Sequence, residues 1–520
     1  MRGGIPALKP VQRAVLLVLS GIGVALGGCA VGPNYRVPDI PVPDHYAAMA
    51  SAPAGNAATT GKAPQATDLA AWWHSLADPE LDSLIDRAIG SNPDIEIALD
   101  RLQEARTFEA GMLGLVLPDL DGSAAAARGT GSDLTRGRAT QALVSSDNAS
   151  GLKHINEIGG FDSLWELDLF GKYRRELQAA RADTQALAAA RDGVLVAVVA
   201  DVARAYIELR GAQMRLATLQ ATIQALGESQ RIVHIRFQRG ITNELDVTLA
   251  DRELADERAQ LAPVEAQVTA GEDTLATLLG TFPENLASEL ASPGMVPAVP
   301  ALSPAGLPLQ LLKQRPDIQQ AERELAASSA RIGVATADLF PDVAVTAAIG
   351  FQRQGLGTDP AIGQHIWSAG PSVLWPLLDF GTLDAQVDIA DLRTRALLVS
   401  YRKTIQAAVS EVDTALSRYA AQQSRLQQLE LAVTASQRAV TLSQQRYDRG
   451  LTDYLNVVDA QRAAYDIQIQ YVDAQTTADD QFVAVYRSLG GGWEHYQKLP
   501  PIRRPQPAII AAFRRLVHPN

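Results

Sequence analysis

The stretch RGITNELDVTLADR at residues 239–252 returns 210 positions later as RGLTDYLNVVDAQR at residues 449–462. The repeat reaches well beyond these two segments. Trp165 with Phe170-Gly171 is matched by Trp375 with Phe380-Gly381 at the same offset. Asn92-Pro93-Asp94-Ile95 is matched by Arg315-Pro316-Asp317-Ile318, and Pro118-Asp119 by Pro341-Asp342, at an offset of 223 (315 against 92). The two offsets differ by 13, and the change falls between Pro118 and Trp165, in a Gly-, Ser- and Asp-rich stretch suited to a loop. One insertion in a loop, with register otherwise held, is how a duplicated structural unit reads. The chain must therefore build one element order twice: a helix opening on a Pro-Asp step, a pair of strands, a very long helix, a Gly-containing break and another long helix.

The long helices are the strongest local signal. No proline occurs from Gly381 to Tyr447. Apolar residues recur at Leu397, Tyr401, Ile405, Ala408, Val412, Leu416, Tyr419, Leu426, Leu429, Val433, Val440 and Tyr447, close to the 3.6-residue period of a helix stripe. Tyr173 to about Gln238 reads the same way, through Leu187, Val194, Val198, Val202, Tyr206 and Leu209. About 60 residues at ~1.5 Å each make a helix roughly 90 Å long, which needs lateral partners along its whole length. Aromatics make up only 5% of the chain, which suits thin helical packing better than a thick core.

The strand pairs carry a second pattern. In VAVTAAIGFQ, residues 343–352, Val343, Val345, Ala347, Ile349 and Phe351 fall on one face, and Ala344, Thr346, Ala348 and Gly350 on the other. The partner strand is expected at about His365–Leu378, with Trp367 and Trp375 near its ends, and the first copy at about Leu120–Ala127 and Phe161–Leu169. A soluble hairpin with one buried face fits this pattern, and so does a transmembrane hairpin with aromatics at its ends. In the second case four strands cannot close a barrel alone. Open edges are not tolerated in lipid, so several chains would have to share one barrel.

At the N-terminus, Arg2, Lys9 and Arg13 precede the apolar run AVLLVLSGIGVAL, which is short for a membrane span and reads as a secretion signal. It ends in Leu26-Gly27-Gly28-Cys29, and Cys29 is the chain's one cysteine, which excludes an internal disulfide. This stretch resembles a bacterial lipobox, which implies lipidation of Cys29, and Ala30 after it favours the outer membrane. The proline-rich AVGPNYRVPDIPVPDHY then reads as an extended strap, followed by a small-residue linker.

Catalytic patterns are missing from the sequence. There is no His-Glu-x-x-His, no Gly-x-Ser-x-Gly, and Gly171-Lys172 lacks the upstream glycine of a phosphate loop. A net charge of −12 gives no basic face for nucleic acid. The reading is of a protein that is not an enzyme and binds no cofactor or metal, apart from S-diacylglycerol and N-acyl lipid on Cys29.

Lipobox, VGP strap, duplication, the W-x(4)-F-G strand ends, paired RG turns and the terminal Leu489-Gly490-Gly491-Gly492-Trp493 together resemble the outer membrane factor family of TolC-like exit ducts. Within it they are similar to the lipidated NodT-type branch that serves RND efflux systems. The resemblance implies an α+β membrane protein: a homotrimer with a 12-stranded β-barrel, four strands per chain, continued by a long α-helical periplasmic barrel. It implies that the helices of Leu81–Leu115 and Pro308–Leu339 pair with the longer ones, and that a belt at mid-length of the helices includes the segment around Pro283–Pro308 and the C-terminal part. The organisation expected is a signal peptide at 1–28, strap and linker at 29–67, structural repeats at 68–300 and 301–493, and a basic, proline-containing tail at 494–520. The function implied is a passive outer-membrane duct of a tripartite efflux or secretion system, partnered by a periplasmic adaptor and an inner-membrane RND-type transporter. A periplasmic structural lipoprotein without a barrel is the alternative.

The RG turns are expected at the periplasmic tips, where Gly240 and Gly450 can take the left-handed conformation that ends a helix and Thr242 or Thr452 can cap the next. Arg239, Gly240, Arg449 and Gly450 thereby become candidate adaptor-docking residues. Asp459 stands where the first copy has Leu249. By resemblance, Leu455 is an apolar plug and Asp459 a charged ring at a periplasmic gate, with Tyr447 and Arg462 in its latch. Asp459 and Arg462 are three apart on one helix face and can pair within or between chains.

Overall fold

A computed structural model describes residues 30–41, 43, 69–130, 153–292, 294, 296–297, 314–356, 360 and 362–494. The signal segment 1–28, the lipidation candidate Cys29, the whole 44–67 linker, much of 293–313 and the tail beyond 494 lie outside these residues.

The first half runs from a 3₁₀ turn at Trp72–Leu76 into α1 (Pro79–Ser91) and α2 (Pro93–Met112), then β1 (Asp121–Thr130) and β2 (Lys153–Leu167). Next come α3 (Lys172–Gln238), α4 (Glu244–Ala259) and α5 (Leu261–Leu278). The second half has α6 (Pro316–Ala337), β3 (Asp342–Leu356), β4 (Ile362–Leu374), α7 (Thr382–Asp448) and α8 (Tyr454–Leu489). α3 and α7 are each 67 residues long, about 100 Å at ~1.5 Å per residue. α2 and α6 both open on the proline of a Pro-Asp step, where a missing N–H costs nothing. The side chain of Asn92 caps α2 through the amides of Asp94 and Ile95.

The halves differ in one helix. α8 is continuous over 36 residues, whereas its counterpart breaks at Gln260 between α4 and α5. Pro263 explains the break: it offers no N–H, and its ring clashes with the carbonyl one turn earlier. A single long helix expected here is therefore two.

The four strands form one antiparallel sheet in the order β1-β2-β3-β4, so β2 and β3 join the halves. The strands differ from the sequence-based bounds. β2 begins at Lys153, well before Phe161, and β4 spans Ile362–Leu374 rather than His365–Leu378. The chain leaves the sheet before Trp375, whose indole N–H donates to the Leu339 carbonyl at 3.2 Å. Trp165 makes the matching bond to Val116 O at 3.1 Å. Each tryptophan thus ties a strand to the end of the helix preceding its hairpin. The additional length of the first copy falls in 131–152, outside the described residues.

The main core sits where α1, α3, α5, α7 and α8 meet the Trp72–Leu76 turn. Trp72 stacks on Tyr486 with centroids 5.3 Å apart, and Phe482 touches Trp72, Tyr486 and Tyr419 at 6.3, 4.9 and 6.3 Å. The strap docks on α3 and α6 higher up. Buried Arg175 donates to the carbonyls of Val31 and Gly32 at 2.9 and 3.1 Å and to Asn34 Oδ1 at 3.0 Å. Val31 N donates to Phe170 O at 3.0 Å, which sets the strap at the foot of β2.

Candidate functional site: the helix tips and the open edges

Each long helix ends in the same turn. At the first tip, Gly240 N donates to Phe237 O at 2.8 Å and Ile241 N to Arg236 O at 2.9 Å. At the second, Gly450 N reaches Tyr447 O and Leu451 N reaches Arg446 O, both at 2.9 Å. This paired reverse bonding satisfies the last helix carbonyls and requires a left-handed residue, and both glycines have φ 70°. Arg239 and Arg449 precede them as the half-helical last residues. A side chain at φ > 0 costs about 1–2 kcal/mol, so Gly450→Val is expected to destabilise the tip by at least that much. Faster proteolytic nicking near residue 450, with the equatorial core unchanged, is the measurement that checks it.

The caps that follow are not the threonines. Asn243 caps α4, its side chain accepting from Asp246 N at 3.0 Å, while the Thr242 hydroxyl donates to the Asp246 carboxylate. At the second tip Asp453 holds the cap position, and Thr452 Oγ1 accepts from Asn456 Nδ2 at 2.9 Å. Both threonines still lie inside the turn, one residue before the extended backbone that a cap needs.

The two tips share a small core of Val233, Ala250, Tyr447, Tyr454, Val457 and Val458, with Leu249 packed on its side. Tyr447 is buried beneath Arg236, whose guanidinium lies 4.6 Å above its ring and 4.0 Å from Asp448. Tyr454 bonds Ser229 across the halves at 2.9 Å. Outside this core the tips display Phe237, Ile241, Leu245, Leu451 and Leu455, all exposed. Asp459 is exposed one helical turn above Leu455.

Arg462 does not pair with Asp459 inside the chain. It forms a two-point bridge to Glu253 of α4, Nε to Oε1 at 3.1 Å and Nη2 to Oε2 at 2.5 Å. The Glu253 side chain is 3% exposed. A buried carboxylate needs its cation more than an exposed one does, and that decides the competition. Helix spacing alone could not reveal a partner 209 positions away.

The other notable feature is what one chain leaves open. α3 packs against α2, α4, α5, α6 and α8, and α7 against α6 and α8. The molecule is thus a slab with β1, α2, α4 and α5 along one side and β4 and α7 along the other. α7 exposes Leu392, Val399, Leu431 and Leu442. The sheet registers Phe161, Ile349 and Trp367 side by side across three strands, 59%, 63% and 77% exposed. The opposite sheet face carries Gly160, Ala344, Thr346, Gly350, Ser368 and Gly370. No helix among the described residues is long and apolar enough to cross a membrane.

Comparison with known proteins agrees with this shape. A sequence profile described as "Outer membrane efflux protein" matches residues 84–281 and 307–491, one segment in each half. The solvent efflux pump outer membrane protein SrpC of Pseudomonas putida is 31% identical over 478 residues, covering 90% of this chain and 96% of its own. Nodulation protein T of Rhizobium leguminosarum bv. trifolii is 28% identical over 477 residues, covering 91% and 96%. The solved structure of the outer-membrane channel OprN superposes with TM-score 0.78 at 34% identity, covering 90% of this chain and all of that one.

Proposed function

With the chain a member of the outer membrane efflux protein family, we infer that it is the exit duct of a tripartite efflux system, set in the outer membrane and reaching into the periplasm. The observation that carries the mechanism is the open slab. Unpaired strand edges are not stable in lipid, so β1 and β4 must each find a partner. They run in opposite directions, so β4 of one copy can pair antiparallel with β1 of the next and close a ring. Two copies would give an eight-stranded barrel, which side chains fill; three give twelve strands and leave a lumen. A homotrimer is the reading adopted. The apolar row of Phe161, Ile349 and Trp367 then faces lipid, and the small, polar face lines water. A barrel-less lipoprotein gives that row nothing to do.

Below the membrane, the long helices of successive copies continue the duct as an α-helical barrel. The exposed apolar residues beside Arg239-Gly240 and Arg449-Gly450 offer a docking surface for a periplasmic adaptor, which couples the duct to an inner-membrane transporter. Energy enters there; the duct itself catalyses nothing. Lipid on Cys29 would anchor the chain just upstream of the strap, which is pinned at the foot of β2 from Val31.

At the tip, Leu455 and Asp459 of each copy converge on the axis as a plug and a charged ring. Carboxylate rings favour cations in a narrow pore. Tyr447 and Arg462 hold the second tip against the first and so keep this constriction closed. The test is conductance in planar bilayers: Asp459→Ala with Arg462→Ala is expected to raise single-channel conductance several-fold and weaken cation preference. Conductance and selectivity equal to the unsubstituted protein would reject the assignment.

A further inference from the structure

The bridge between Glu253 and Arg462 lies in a surplus of negative charge. Glu257, one turn along α4, is buried, with 8% of its surface exposed, and its Oε2 has no hydrogen-bond partner. Glu253 and Asp256 face it from α4, and Asp466, Tyr465 and Arg462 from α8. Arg462 is the one cation among them, and Glu253 already holds it at two points. Arg252 approaches Glu253 at 3.4 Å from the exposed side. On α3, Arg215 is engaged by Asp473, and Glu228 and Arg231 pair with each other. The adjoining Arg258 is exposed, and among the described residues no ion pair reaches the Glu257 carboxylate.

We propose that Glu257 is a proton-operated element of the tip latch: protonated, it lets α4 and α8 pack closed, and ionised, it pushes them apart. This rests on the tip being the gate. A neutral carboxyl beside Glu253 leaves that residue's bridge to Arg462 undisturbed. An ionised one places a second buried negative charge against Glu253, Asp256 and Asp466, and separating α4 from α8 restores its water. Burial first, then these three carboxylates, push the Glu257 carboxyl up to about 7, against the opposing pull of Arg462. Once exposed in the open tip it titrates near the ordinary 4.5. The sign follows from linkage. Between these two values only the closed tip holds the proton, so closure is fully favoured below the lower value and weakens as pH rises to the upper one. Opening therefore increases with pH and levels off above about 7.

The full chain, purified as its assembly, is recorded in planar bilayers from about pH 5 to about pH 8. Open probability is expected to fall at least tenfold on acidification across this range, since one proton per chain gives up to tenfold per unit. Glu257→Gln, isosteric and neutral, is expected to stay at the acid level throughout, while Glu257→Asp keeps a response. A Glu257→Gln channel that still follows pH as the unsubstituted one does overturns the proposal. Glu253→Gln separates this from a failure of the gate reading. If it raises conductance at every pH while Glu257→Gln still titrates, the proton switch alone is wrong; if it changes conductance at no pH, the tip is not the gate.

Discussion

Phe482→Ala is expected to lower the stability of the packed helices by about 3–5 kcal/mol, the range for deleting a fully buried ring. Phe482 is 0% exposed and sits on α8 against Tyr419 of α7, Trp72 of the entering turn and its own neighbour Tyr486. Its removal opens a cavity where three elements meet, and long helices cannot easily collapse inward to fill it. Phe482→Leu keeps most of the volume and is expected to cost much less, under about 1.5 kcal/mol if the site repacks. Denaturant unfolding followed by helix signal checks both. Equal transitions for all three proteins would show that this cluster does not hold the equator together.

The second large effect is at the sheet. Ile349→Lys puts a charge in the middle of the row formed with Phe161 and Trp367. A lysine facing lipid near the bilayer midplane costs about 2–4 kcal/mol, and an assembly of identical chains carries that cost once per copy. Membrane insertion is expected to fail, with the chain recovered as soluble or aggregated material. The neighbouring Ala348→Ser, on the opposite face, is expected to insert normally. If both variants inserted alike, the row would not be a lipid face.

These expectations show how the parts differed in legibility. The halves, the tips and the strand alternation were readable because each is a local pattern repeated at fixed spacing. Gly240 and Gly450 stand out for that reason, and each occupies a turn that only a left-handed residue can close. The Trp165 and Trp375 anchors were visible as residues, though not as bonds to Val116 and Leu339, because those partners lie on another element. The partner of Arg462 was the least legible part. Spacing on one helix offers Asp459 to Arg462, but burial on α4 makes Glu253 the more demanding partner. Glu257 carries no motif at all, and its neighbours come from two helices that meet only after folding. The break at Gln260 was not read from the sequence, because Pro263 is a single residue against an otherwise uninterrupted helical period.

Gating, docking and the proton switch all presuppose that several copies enclose one continuous pore. The direct measurement is the ion conductance of the purified full-length protein in planar bilayers, recorded beside its oligomeric mass in detergent. The account predicts a three-chain assembly that inserts as discrete, cation-preferring conductance steps. A folded protein that stays monomeric, or a three-chain assembly that inserts and passes no current in the unsubstituted form, the Asp459→Ala, Arg462→Ala form and the Glu253→Gln form alike, would contradict it.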